Sequence, residues 1–211
     1  MTSARICIVR HGETAWNAER RIQGQLDLAL NAAGLAQAEA VACALADENF
    51  ATVISSDLLR ARQTAVSFAL TAGLPVTLHT GLRERHYGVF QGHTYEEARL
   101  RYPEDYRVFS SRDADFDFGS GESLMAFAGR VRACMEEIAA AGMGKTILVI
   151  THGGVLDIVY RMATGMPLVA PRDFPIPNAA LNWVERNARG WHLLGWADEH
   201  HLRATLDELP G

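Results

Sequence analysis

Two histidines in this chain are delivered in the same way. Ile6-Cys7-Ile8-Val9 runs directly into Arg10-His11-Gly12-Glu13-Thr14, and Ile147-Leu148-Val149-Ile150 runs into Thr151-His152-Gly153-Gly154. Each run is short, apolar and rich in β-branched residues, and each ends at a glycine, the pattern of a buried strand. Open α/β sheets bind ligands outside the carboxyl ends of their strands, so both histidines are expected in one crevice. A third stretch points there too: Val53-Ile54-Ser55 leads through Ser56-Asp57 into a helix that carries Arg60 in its first turns. Glycines after each histidine allow close backbone approach, and helix N-termini offer unpaired N–H groups. Such a crevice suits an oxyanion. Guanidinium groups grip phosphate through parallel hydrogen bonds, so Arg10 and Arg60 form a credible clamp, with Arg62 competing for the second place. Neutral imidazole can attack phosphorus and form a covalent phosphohistidine.

The surrounding elements must bring these residues together. Asn31 is an N-cap for a helix over residues 33–46, in which Leu35, Ala38, Val41, Ala42 and Leu45 share a face. Ser56 or Asp57 caps the helix over residues 58–70, and residues 74–78 form a further strand. Residues 91–122 differ in texture, with Tyr95, Tyr102, Tyr106, Phe109, Phe116 and Phe118 set among acids. They read as a short helix plus irregular chain, an insertion that covers the crevice. A long helix over residues 123–141 ends at Gly142 and Gly144, and a helix over residues 155–163 is closed by Gly165 and Pro167. Residues 181–185 and 191–194 flank a turn at 187–190 and read as a hairpin. The fold class is therefore α/β: a three-layer sandwich, a mostly parallel central sheet with helices on both faces, and a C-terminal hairpin. One domain over residues 1–211 is expected, with 91–122 as its cover.

Bulk properties narrow the function classes. A length of 211 residues fits one domain, and 48% hydrophobic with 21% charged residues describes an ordinary globular protein. A net charge of −5 argues against nucleic-acid binding. No apolar run approaches the ~20 residues of a membrane span, and the first five residues leave no room for a signal peptide, so a cytoplasmic location is expected. Cys7, Cys43 and Cys134 are scattered without CxxC spacing, which fits reduced thiols.

Four blocks carry a family likeness. Arg10-His11-Gly12-Glu13-Thr14 with Trp16-Asn17 and Gln23-Gly24, Ser55-Ser56-Asp57-Leu58-Leu59-Arg60-Ala61-Arg62-Gln63-Thr64-Ala65, Leu82-Arg83-Glu84-Arg85-His86-Tyr87-Gly88, and Thr151-His152-Gly153 lie in order along nearly the whole chain. Together they resemble the signature of the histidine phosphatase superfamily, the phosphoglycerate-mutase-like family. The resemblance implies that His11 is the nucleophile. It implies that Arg10, Arg60 and His152 bind the transferring phosphoryl group together with Asn17, and that Gln23 and the Gly24 backbone border it, with Gly153 at the second strand tip. Glu84 would be the general acid, then the base that activates water. Glu13 and Glu122 are its rival carboxylates, while His86 and His93 are expected to line or pack the site. Phosphoryl transfer depends mainly on positioning and charge stabilisation, which arginines supply, so no metal or other cofactor is expected. The expected partners are a small phosphorylated substrate and inorganic phosphate, with a homodimer left open.

Within the family the residues divide. Glu84 to Gly88 with Gln91-Gly92 resembles the mutase version of that block. Mutases, however, carry Thr at the place of Gln23, Lys at Tyr95 and Asn at Gly154, and an arginine pair where this chain has only Arg107 and Arg112 among acids. The balance favours a phosphatase over a phosphoglycerate mutase. A non-catalytic phospho-ligand module is the alternative from another class, and it would be expected to lack the nucleophile or the acid.

Overall fold

The computed structural model describes residues 2–202. Six strands form one sheet: β1 (Ala4–Arg10), β2 (Thr52–Ser55), β3 (Val76–Leu78), β4 (Thr146–Thr151), β5 (Leu181–Asn187) and β6 (Gly190–Asp198). Their order is β3-β2-β4-β1-β5-β6. The first four are parallel, and β5 and β6 add an antiparallel hairpin on the β1 side. The α-helices are α1 (Ala15–Ala18), α2 (Ala32–Ala44), α3 (Leu59–Ala72), α4 (Tyr95–Arg101), α5 (Pro103–Ser110), α6 (Leu124–Ala141) and α7 (Gly153–Thr164).

Strand alternation divides the core into two layers. Ala4, Ile6 and Ile8 of β1 face α6 and α7, where Val131, Met135, Leu156 and Val159 are buried. Cys7 and Val9 face the other way, onto Val41, Leu45, Ala65 and Phe68 of α2 and α3. Helices thus cover both faces of the sheet, as the sequence pattern requires. Among the described residues no helix is long and apolar enough to cross a membrane.

Two local expectations are corrected. Leu35 is 46% exposed and does not join the buried face of α2. Its neighbour Gly34 faces inward, so close to the chain after β1 that a Cβ there would lie 2.0 Å from the Glu13 carbonyl oxygen, and the next residue is turned outward. The second correction concerns α3. Neither Ser56 nor Asp57 caps it as expected; Leu58 occupies the cap position without a side-chain bond, and Asp27 accepts from Leu59 N at 2.6 Å. Asp57 is held instead by Arg83.

Residues 91–122 are more ordered than irregular chain. They hold α4, opened by a capping box between Thr94 and Glu97, and α5, which starts at Pro103. Phe90, Phe118 and Ile22 form a separate apolar cluster beneath them, joined by Tyr87, Tyr102, Tyr106, Phe109 and Phe116. Apart from Tyr95, which is half exposed, the aromatic residues that stood out in the sequence form the core of this segment.

Candidate active site

β1 and β4 are adjacent and parallel, with Arg10 beside Thr151 in register. That register carries His11 and His152 to the same height, with ring centroids 5.2 Å apart. His11 N bonds to Thr151 O at 2.9 Å, and Asn178 Nδ2 donates to the His11 carbonyl at 2.7 Å, so the backbone at the strand tip is fixed from two sides. Gly12 must be glycine for this chain path, because a Cβ there would lie 2.4 Å from the Gly34 carbonyl oxygen.

The protonation of His11 follows from its partners. Nδ1 lies 2.7 Å from the Gly12 carbonyl, an acceptor only, so Nδ1 carries the ring proton. Nε2 is then the lone-pair nitrogen, and it receives the Arg60 Nε–H at 3.2 Å. Burial, then the nearby Arg60 and Arg10 charges, hold its pKa well below the usual 6.5. The imidazole is neutral with a directed lone pair, the form a nucleophile needs.

Arg60 is 1% exposed. Its Nη1 donates to Leu26 O at 2.8 Å and its Nη2 to Gly24 O at 2.7 Å, so the 24–26 chain is tied to the guanidinium. Burial lowers its pKa to about 10, which still leaves it charged at neutral pH. Arg62, its rival in the sequence, points to solvent. Arg10 bonds Ile176 O through Nη1 at 2.7 Å, while its buried Nε has no hydrogen-bond partner within the protein. His152 Nε2 lies 2.8 Å from Ser56 Oγ, and its Nδ1 is also buried and unpartnered. The Ser56 hydroxyl accepts from Leu58 N at 3.4 Å, and when it donates to Nε2 the His152 ring proton sits on Nδ1, free to meet an anion. Asn17 turns its Oδ1 to Thr14 N–H, so its Nδ2 is the end left to donate.

Glu84 sits on the chain after β3. Its Oε1 accepts from Arg85 N at 2.8 Å and its Oε2 from Gly154 N at 3.0 Å. Of its rivals, Glu13 is taken up by Asn31 and Glu122 by Arg130. Gly154 matters because a Cβ there would lie 2.1 Å from Glu84 Oε1. Gly154→Ala should therefore displace the carboxylate, and a shift near 1 Å costs about 10²-fold in rate. Steady-state kinetics on an alkyl phosphomonoester would test this, and a rate within threefold of wild type would refute it.

Of the nine residues singled out in the sequence, Arg10, His11, Asn17, Gln23, Gly24, Arg60 and Glu84 line one cavity of about 260 Å³. His152 lies against it through the His11 ring. Gly153 lines a second lobe of about 400 Å³, which shares Arg10, Glu84, Tyr87 and Tyr95 with the first. The second lobe is walled by Phe109 and Phe116 and carries charges of both signs in Arg112, Arg172, Asp113 and Asp157. Arg107, by contrast, is exposed and pairs with Glu104. His86 accepts from Gly88 N and His93 packs edge-on to Tyr102. Ser56, Gly154 and Arg172 are contributors that the sequence pattern did not reveal. Ser56 and Gly154 stand beside strand-end motif residues, a usable signal, whereas Arg172 lies in a Pro-rich connection with none.

The histidine phosphatase superfamily (branch 1) matches residues 6–199. The chain is 44% identical over 207 residues to phosphoglycerate mutase-like protein 4 of Arabidopsis thaliana, covering 96% of this chain and 88% of that one. It is 40% identical to the metal-independent phosphoserine phosphatase of the same plant, covering 95% and 84%. Among solved structures, a phosphoserine phosphatase variant from Entamoeba histolytica in complex with phosphoserine superposes with a TM-score of 0.84 at 27% identity, covering 94% and 99%. The protein belongs to the histidine phosphatase superfamily, branch 1.

Proposed function

We propose that this protein is a phosphomonoesterase that hydrolyses small phosphorylated metabolites through a phosphohistidine on His11. The observation that carries the reading is the fixed His11 tautomer. Nε2 is a directed lone pair inside a cavity where Arg10 Nε and His152 Nδ1 are donors with no protein acceptor. Leaving buried donors unpaired costs about 1–3 kcal/mol each, which an anionic phosphoryl group would offset.

The chemistry follows from these placements. The phosphoryl oxygens lie among Arg10, Arg60, His152 Nδ1 and Asn17 Nδ2, while Gln23 and the 24–26 chain border them. His11 Nε2 attacks phosphorus as the ester P–O bond breaks. Glu84, which lines both lobes, gives its proton to the leaving alkoxide and yields the alcohol. The carboxylate then takes a proton from water, and the hydroxide formed attacks phosphorus, breaking the N–P bond. Phosphate leaves, and His11 and protonated Glu84 are regenerated.

The leaving group would occupy the second lobe, beneath the cover formed by residues 91–122. Its mixed charges suit a leaving group that itself carries both signs, such as an amino acid, and two of the relatives are named for phosphoserine. The same lobe is poorly suited to a bisphosphate. The mutase alternative keeps the support of the Glu84–Gly88 block and of the relative named mutase-like. A cytoplasmic setting fits the reading, since Cys7 and Cys134 are buried free thiols and Cys43 an exposed one.

A panel of phosphomonoesters, with alkaline quench to preserve phosphohistidine, tests the proposal. Turnover and a phosphoenzyme on wild type support it, and absence of both overturns it. Faster isomerisation of phosphoglycerate, primed with bisphosphoglycerate, than phosphate release would select the mutase reading. Glu84→Gln is expected to lower kcat/KM, which reports the steps up to departure of the alcohol, by roughly 10²–10⁴-fold on alkyl phosphates and far less on p-nitrophenyl phosphate, whose leaving group needs little protonation. Equal losses on both esters would remove Glu84 from the acid role.

A further inference from the structure

We propose that Arg130, paired with Glu122, is a positioning residue for Glu84, an inference that rests on the hydrolytic reading above. Arg130 lies on α6 and lines neither lobe of the site. Its five N–H groups are nonetheless all directed at the chain that carries Glu84 or at its brace. Nη1 donates to Gly81 O at 2.9 Å and Arg83 O at 3.0 Å, and Nη2 to Glu84 O at 3.3 Å. The remaining donors, Nε at 2.8 Å and Nη2 at 2.7 Å, grip the two oxygens of Glu122.

Glu122 extends the brace past Glu84. It accepts from His86 N at 2.9 Å, two residues beyond the carboxylate, while Arg85 Nε donates to the Glu122 carbonyl at 2.9 Å. One ion pair therefore fixes the backbone on both sides of Glu84. The 81–86 chain has no helix or strand after the short 3₁₀ turn at Thr80–Leu82, so its carbonyls lack regular partners. An arginine supplies five donors in a fixed fork, which a lysine cannot reproduce.

The brace also reaches the other half of the site. Gln25 Nε2 donates to the Glu84 carbonyl at 3.0 Å, and the neighbouring Gly24 and Leu26 carbonyls are those held by Arg60. Arg60 in turn bonds His11 Nε2. The distance between nucleophile and acid is thus set through a hydrogen-bonded path from Arg130 to His11. Loosening Arg130 should leave attack on phosphorus largely in place and degrade proton delivery to the leaving oxygen.

The test compares Arg130→Met and Glu122→Gln with wild type and with Glu84→Gln, on an alkyl phosphate and on p-nitrophenyl phosphate. Arg130→Met is expected to lose about 30–100-fold in kcat/KM on the alkyl ester and at least tenfold less on the aryl one, since kcat/KM does not include the phosphoenzyme hydrolysis that both esters share. Glu122→Gln should show the same asymmetry more weakly, and it decides the matter if Arg130→Met does not fold. In the Glu84→Gln background, either change should add no further asymmetry, because the group it positions is already disabled. Equal losses on the two esters, no loss, or full additivity with Glu84→Gln would overturn the proposal. Those outcomes occur on an active wild type; a wild type without phosphoenzyme would instead overturn the hydrolytic reading itself.

Discussion

Replacing His11 with alanine is expected to abolish turnover and phosphoenzyme together, with kcat falling by roughly 10⁴–10⁶-fold, the scale seen when a covalent nucleophile is removed. The size follows from the absence of a substitute. His152 is the other imidazole in reach, but its Nε2 is engaged by Ser56 Oγ and its ring is packed against His11, 5.2 Å centroid to centroid. Rapid-quench labelling and steady-state kinetics on the same substrate check both halves of the expectation. A labelled phosphoenzyme in His11→Ala at wild-type level would place the nucleophile elsewhere. The pH dependence has a defined sign as well. Because burial and two arginines depress the His11 pKa, the lone pair persists as pH falls below 6.5. A loss of kcat near that pH would report another group.

Arg60→Met is expected to cost about 10³–10⁵-fold in kcat/KM, by analogy with other arginines that stabilise a transferring phosphoryl group. Three functions are lost at once. Charge at the phosphoryl group falls, the Nε–H that orients His11 Nε2 disappears, and the Gly24 and Leu26 carbonyls lose their donors. Each orphaned carbonyl carries a penalty of about 1–3 kcal/mol. Removing a buried charge partly compensates, since burial already strains the guanidinium to a pKa of about 10. Thermal stability should therefore change much less than activity. Arg60→Lys restores charge without the fork and should recover only part of the rate. Activity of Arg60→Lys within tenfold of wild type would show that charge alone suffices. A thermal melt beside the kinetic assay separates a damaged site from a damaged fold.

Much of the site was legible because its residues stand at strand tips. A strand's period of two and its abrupt end at a glycine locate Arg10-His11-Gly12 and Thr151-His152-Gly153 without any tertiary knowledge. Arg60 was legible for a similar reason, standing in the first turn of the helix after β2. The 91–122 segment was harder. Its aromatic residues pack on one another and on Ile22, so their spacing reflects a small local core and not one helical stripe. The helix cap of α3 was misplaced because Asp27, which takes the Leu59 N–H, is distant in sequence.

The chain's own order determined that two histidines and an arginine stand at strand ends and that Arg60 opens the helix after β2, because strand length and termination are local properties of the sequence. Tertiary structure decided what the sequence could not express. The β1–β4 register sets the two imidazoles 5.2 Å apart, and the Gly12 carbonyl selects which His11 nitrogen carries the lone pair. Gly154 and the five-donor grip of Arg130 hold Glu84 where it faces both lobes. The physical reason is range. Periodicity acts over a few residues, whereas proton placement and carboxylate position depend on hydrogen bonds between segments far apart in the chain.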